Sequence, residues 1–307
     1  MTFNSKLKMK TCMSILVAAA GVAAAGGAQA LDVKTLYLFG DSYTDTGAYV
    51  KLTNGSTAGG YLASAYDLDL VTSKSTNPGT SSINFAESGA RIAQGPSGSA
   101  IQPRSLTQQV GEFQSYLQAG KLSFDPNSSL FFLLGGLNDH ASPTAPLASA
   151  TMQQVATLYG LGGRYFELAL LPSMVPAFTD SANNVNPMIT QLVPELQAMY
   201  PDASFTLSNW GDYYDDILRN PQNYGITNTT NACLGNAACT DPDTYFYYYS
   251  AHPSDRAHEI VGAQLYAEAQ AIATIAAVPE PGTIALMASG IGAISLIARR
   301  RRRAMLV

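Results

Sequence analysis

The chain has 307 residues, with 17 Lys and Arg against 22 Asp and Glu and a formal charge of −5 at pH 7. Eight basic residues sit at the two ends (Lys6, Lys8, Lys10 and Arg299 to Arg303), whereas every acidic residue except Glu280 falls within residues 31–277. Residues 31–277 thus carry nine basic and 21 acidic side chains, a formal charge of −12, which argues against nucleic acid or anionic lipid as the chief partner.

Residues 1–30 read as a signal peptide. A lysine-bearing start precedes an apolar run from Met13 to Ala25, and Ala28-Gln29-Ala30 supplies the small-residue cleavage pattern. The run is too short and too rich in Gly and Ala for a comfortable membrane span. The roughly 250 residues after it are enough for one large domain with a full core.

Within that block, Thr35 to Gly40 reads as a buried strand ending in a turn. The segment 52–83 is rich in Gly, Ser, Thr and Asn and reads as irregular surface. Leu106 to Leu117 is amphipathic. Ser129 to Leu134 is a second apolar strand, closed by Gly135-Gly136, and Leu147 to Leu158 is a second helix. Tyr165 to Leu171 gives a third strand, stopped by Pro172. Val185 to Tyr200 gives a helix, Ser204 to Ser208 a strand, and residues from about Ser254 to Ala277 a last helix. The region 221–250 reads as loop, with tyrosines at 245, 247, 248 and 249. Strands alternating with helices predict an α/β domain with a central parallel sheet and helices on both faces.

Cys12 leaves with the signal. Cys233 and Cys239, six positions apart, are expected to close a small disulfide loop in an oxidising compartment. No His or further Cys stands at metal-ligand spacing beside them, so no metal is expected there. There is no Walker-type loop, dinucleotide fingerprint or Gly-x-Ser-x-Gly elbow, and no cofactor is implied.

After the domain, Val278-Pro279-Glu280-Pro281-Gly282 is a stiff, helix-breaking stretch. Thr283 to Ala298 is apolar and uncharged, and Arg299 to Arg303 form a cationic run that favours the cytoplasmic side. The apolar part is somewhat shorter than the ~20 residues of an ordinary spanning helix. Residues 278–307 resemble a PEP-CTERM sorting tail. That resemblance implies a Gram-negative bacterium that makes exopolysaccharide and a membrane transpeptidase-like enzyme that recognises the tail. The protein would be exported across the inner membrane, held there briefly by a transmembrane segment, and then secreted or left on the surface. The same residues could also serve as a permanent anchor.

Four short blocks carry the chemistry. Phe39-Gly40-Asp41-Ser42-Tyr43-Thr44-Asp45-Thr46-Gly47 comes directly after the first strand, where open α/β sheets place their ligands. Ile83 to Arg91 (INFAESGAR) puts Gly89 after a short apolar run. Gly135-Gly136-Leu137-Asn138-Asp139 comes after the second long strand, and His252-Pro253-Ser254 precedes the last helix. Alone, each has an ordinary explanation: an N-cap turn for Asp41-Ser42, a turn for Asn138-Asp139, a surface loop for His252. In this order, Ser, Gly, Asn and His resemble the four blocks of the SGNH hydrolases, in wording close to the GDSL lipase/esterase branch. Ser105 to Val110 resembles the family's segment after its second block, and the similarity spans most of 35–265.

The resemblance implies a flavodoxin-like three-layer α/β/α sandwich and a serine esterase. Ser42 would be the nucleophile and His252 its base. The backbone N–H groups of Ser42 and Gly89 and the side-chain amide of Asn138 would form the oxyanion hole. The family's supporting acid usually stands three residues before the histidine, and here that position is Tyr249. Asp241, Asp243, Asp255 or a backbone carbonyl could take its place. His140 reads as a solvated loop residue and His258 as a structural hydrogen-bonding partner. The implied substrate is a lipid, a small ester or an acetylated polysaccharide. The competing readings are a polysaccharide O-deacetylase and a noncatalytic matrix or surface-binding protein on a degenerate hydrolase scaffold.

Overall fold

A computed structural model describes residues 31–75, 79, 81–93, 103–140 and 142–277, with side chains to residue 270. The expected signal peptide and the sorting tail with its apolar segment lie outside the described residues. Among the described residues, no helix is long and apolar enough to cross a membrane.

The first strand, β1 (Thr35–Gly40), is buried along its whole length, as expected of a strand covered on both faces of a parallel sheet. It lies between β3 (Ser82–Asn84) and β4 (Ser129–Leu134), parallel to both. Short β2 (Leu70–Thr72) flanks β3, and β5 (Tyr165–Ala169) and β6 (Ser204–Ser208) continue beyond β4. The six-stranded order is β2-β3-β1-β4-β5-β6, and every pairing is parallel.

Helices cover both faces. On one side α2 (Leu106–Gln118), α3 (Thr144–Gly160) and α4 (Thr179–Met199) pack in sequence. There Phe113 meets Tyr37, Phe39, Phe85, Phe124 and Phe131 with ring centroids 5.0–6.1 Å apart. On the other side α1 (Ala58–Ala65), α5 (Trp210–Arg219) and α6 (Asp255–Ala277) meet. Tyr66, at the end of α1, packs edge-on against Tyr266 of α6, and Tyr214 of α5 hydrogen-bonds His258 of α6 at 2.7 Å. The fold is a three-layer α/β/α sandwich.

Two regions are more ordered than their composition suggested. The segment 52–83, expected to be irregular, contains α1, β2 and the first residues of β3. Helix α1 owes its place to packing rather than propensity: a Cβ at Gly59 would stand 2.5 Å from Leu38 Cδ1, so Gly lets the helix lie directly on β1. The region 221–250, expected to be loop, holds β7 (Asn228–Ala232) and β8 (Tyr245–Tyr249). With β9 (His252–Pro253) these make a separate three-stranded sheet in which β7 and β8 run parallel and β8 and β9 antiparallel. Helix α4 begins six residues before the expected Val185, because its polar first turn is anchored by Ser181, whose hydroxyl donates to the Leu137 carbonyl at 2.9 Å.

Glu167 of β5 is buried between paired strands, and desolvation, reinforced by Glu268 of α6, pushes its carboxyl up to about 8. The unfolded chain ionises this group near 4.3. Folding is therefore unpenalised by Glu167 below that pH and loses stability as pH rises toward 8. Replacing it as E167Q is expected to remove this slope, so that the melting-temperature gap between variant and parent widens in the variant's favour from pH 5 to pH 8. A gap that does not change with pH would contradict the assignment.

Candidate active site

The Ser42 block begins where β1 ends. Gln109 of α2, fully buried, treats Gly40 as a neighbouring strand would: Gly40 N–H donates to its Oε1 at 2.9 Å, and its Nε2 donates to Gly40 O at 2.8 Å. The next residue, Asp41, accepts from Tyr43 N–H at 3.3 Å and from Leu137 N–H at 3.2 Å. Its own carbonyl accepts from Thr44 and Asp45 N–H. Asp41 thus clamps the Ser42 turn to the turn after β4, and burial pushes its carboxyl up to about 7.

Asp45 organises the loop after Ser42. Its two carboxylate oxygens accept from the N–H groups of Gly47, Ala48, Tyr49 and Val50, and from Ser88 N–H at 2.9 Å. One buried carboxylate therefore ties this segment to the residue before Gly89. Charge-assisted bonds of this kind are about twice as strong as neutral ones.

The second and third blocks are tied together in turn. Gly89 has φ +88°, a conformation that a side chain would strain, and its Cβ would press on Pro103 at 3.2 Å. Asn138 Nδ2 donates to Ala90 O at 2.8 Å, and buried Asp139 accepts from Ile92 N–H at 3.0 Å. Ser42, Gly89 and Asn138 thus share one hydrogen-bonded framework at the carboxyl edge of the sheet. Among the described residues, neither Ser42 N–H nor Gly89 N–H has an acceptor.

The fourth block arrives from the small second sheet. The disulfide Cys233–Cys239 is formed, and the bonds Cys233 N–H to Tyr247 O and Leu234 N–H to Tyr248 O fasten its loop to β8. Strand β8 then turns back through Ser250, at φ +50°, into β9. That turn carries His252 to Ser42: Nε2 and Oγ lie 2.8 Å apart across 210 positions of sequence. The ring's other nitrogen, Nδ1, lies 3.1 Å from the backbone oxygen of Tyr249. A carbonyl can only accept, so Nδ1 carries the proton, and Nε2 is left with the lone pair that accepts from the Ser42 hydroxyl.

Among the described residues, none of the three aspartates near this block hydrogen-bonds His252. Asp255 accepts from Ser56 N–H and the Tyr61 hydroxyl, each at 2.7 Å, and Asp241 caps Asp243 N–H. Of the partners left open by the sequence, it is thus a backbone carbonyl that meets His252, and it belongs to the residue at the family's acid position. Around the imidazole stand the rings of Tyr43, Phe178 and Tyr249, with centroids at 5.8, 6.5 and 6.2 Å. Burial lowers the pKa of His252, and the bond to Tyr249 O opposes this.

The other histidines stand apart from this pair. His140 is exposed and shares a 3.0 Å hydrogen bond with Ser181 Oγ. His258 is buried; its Nδ1 accepts from Ala58 N–H at 3.2 Å and meets the Tyr214 hydroxyl, and desolvation lowers its pKa to about 3. It is a neutral structural link between α1, α5 and α6. Among the described residues, no group of three or more His, Cys, Asp or Glu could hold a metal ion.

The chain is 22% identical to an Arabidopsis thaliana GDSL esterase/lipase over 78% of this chain and 83% of the relative. A second Arabidopsis thaliana GDSL esterase/lipase is 24% identical over 58% of this chain and 62% of that protein. A crystal structure of a lipolytic protein G-D-S-L family member from Veillonella parvula superposes with a TM-score of 0.45 at 13% identity, covering 75% of this chain and 94% of that one. Residues 277–303 match the PEP-CTERM protein-sorting motif, which marks export through a sorting system of Gram-negative bacteria. Residues 36–265 match the model for GDSL-like lipase/acylhydrolase, and the chain belongs to that family.

Proposed function

We propose that the chain is an exported serine esterase that cleaves carboxylic esters through an acyl-enzyme, with Ser42 as nucleophile and His252 as general base and acid. The observation that carries this reading is the alignment of Ser42 Oγ, His252 Nε2, His252 Nδ1 and the Tyr249 carbonyl. As the Ser42 oxygen attacks the ester carbonyl carbon, its proton passes to Nε2. The C=O electron pair moves onto oxygen, where the N–H groups of Ser42 and Gly89 and the Asn138 amide stabilise the charge. Collapse expels the alcohol, which takes the proton from Nε2. A water molecule then repeats the sequence on the acyl-enzyme, its proton passing through His252 to the released Ser42 oxygen.

A neutral carbonyl sets the tautomer as a carboxylate would, but it stabilises the imidazolium less. This favours a working enzyme of modest turnover over an inert scaffold. In the full reading, residues 1–30 are removed on export and the tail at 278–307 holds the protein at the membrane until it is processed. The exopolysaccharide setting implied by that tail makes an acetylated polysaccharide a second ester class to assay beside lipid and small esters.

Turnover of a p-nitrophenyl ester series, measured beside acetate release from acetylated xylan, tests the proposal. S42A is expected to abolish turnover on every ester with the fold intact, and N138A to cost roughly 10²–10³ in kcat. Activity in S42A equal to the parent's would sink the assignment.

Because burial lowers the His252 pKa, the base stays neutral to a lower pH than an ordinary histidine. The acid limb of kcat/KM is expected below the usual value near 6.5. A limb clearly above 6.5 would point to a different base.

Placing a carboxylate at the family position, as Y249D, is expected to raise kcat about 10-fold and to move that limb to higher pH, since an anion beside Nδ1 favours the imidazolium. A variant with unchanged kcat and an unmoved limb would show that the carbonyl already does all that a carboxylate could.

A further inference from the structure

The bond from Nδ1 to the Tyr249 carbonyl fixes the imidazole relative to its own turn, not relative to Ser42. That turn, residues 249–252, is poorly braced from outside: Tyr249 is 46% exposed, Ser250 is exposed, and Ser250 sits at positive φ. A separate contact joins it to the nucleophile. Tyr43, the residue after Ser42, is fully buried, and its hydroxyl donates at 2.6 Å to the carbonyl of Ala251, the residue before His252. The bond crosses 208 positions and links the same two segments as the bond between Ser42 and His252.

The phenol itself cannot drift. Its ring is enclosed by Phe178, Trp210, Tyr214 and His258, with centroids 5.3–6.0 Å away. Burial holds its pKa well above the ordinary value, so it remains a donor. A buried phenol needs a partner for its hydroxyl, and this one finds it on the turn that carries the base.

We propose that Tyr43 is a positioning residue: its hydroxyl, through the Ala251 carbonyl, holds the His252 turn within hydrogen-bonding reach of Ser42. The inference rests on the Ser42–His252 reading and adds the device that sets their separation. Displacement of a base by about an ångström can cost up to 100-fold in rate.

The test is Y43F, which removes the hydroxyl and keeps the ring, measured on p-nitrophenyl acetate in two backgrounds, the parent and H252A. In the parent background, rates are referred to Ser42 sites titrated with a fluorophosphonate; in H252A, which lacks the base that labelling requires, they are referred to the folded fraction measured by circular dichroism. In the parent, the expected result is a fall in kcat of about 10- to 100-fold with KM and melting temperature little changed. In H252A, where no imidazole remains to be positioned, the same change is expected to have no effect on the residual rate. An equal loss in both backgrounds, or a large drop in melting temperature, would make Tyr43 merely structural and overturn the proposal. Parental kcat in Y43F would overturn it as well. S42A run alongside separates the two failures: if S42A retains activity the esterase reading itself is wrong, whereas an inactive S42A beside a fully active Y43F removes only the role of Tyr43.

Discussion

A neutral imidazole has one N–H and one lone pair, and the chemistry proposed for this protein depends on which nitrogen holds which. The Tyr249 carbonyl settles that by accepting from Nδ1, which leaves Nε2 to face the Ser42 hydroxyl. The local chain path makes this possible without a carboxylate. Ser250 adopts a left-handed conformation between β8 and β9, and the reversal points the carbonyl of residue 249 back at the ring of residue 252. Everything else around the site maintains this alignment or the donors facing it.

The maintenance comes from buried polar groups whose partners lie on other elements. Gln109 continues the strand pairing at Gly40. Asp41 joins the Ser42 turn to the Leu137 turn, Asp45 joins the next loop to Ser88, and Asp139 joins the Asn138 turn to Ile92. Each of these aspartates sits one or three residues from a proposed catalytic group and touches none of the reacting atoms. A buried carboxylate left without such partners would cost several kcal/mol. Here each accepts backbone N–H groups that loops would otherwise leave unpaired, so these carboxyl groups stiffen the edge of the sheet from which the site is built.

The frame of the fold was legible because it is written in apolar runs. Thr35–Gly40 and Ser129–Leu134 are covered on both faces, and each leads through glycine into a motif. The positions of the motifs at strand ends were readable from the same pattern, whereas the roles proposed for their residues came from the resemblance. Elements whose formation depends on tertiary contact were not legible. Helix α1 begins Ala-Gly-Gly and needs Leu38 beneath it. Helix α5 shows only Trp210, Tyr214 and Ile217 as its buried apolar stripe among aspartates. Strand β8 reads Tyr-Phe-Tyr-Tyr-Tyr, with no alternation, and is paired through the disulfide-bound segment before it. The partner of His252 was equally hidden, since every residue has a carbonyl and only the backbone path selects one. Tyr43 and Asp45 lay inside a recognised motif, but nothing in the letters says where a phenol or a carboxylate will find its partners.

The proposed chemistry comes down to the protonation of one ring. The chain contains three histidines, so nitrogen-15 spectra of histidine-labelled protein near pH 7 can be assigned by comparison with an H252N variant. His252 is expected to be neutral, with the proton on Nδ1 and a pyridine-like Nε2. A proton resident on Nε2, with Nδ1 bare, would contradict this chemistry, because such a ring could neither donate to the Tyr249 carbonyl nor accept the Ser42 proton.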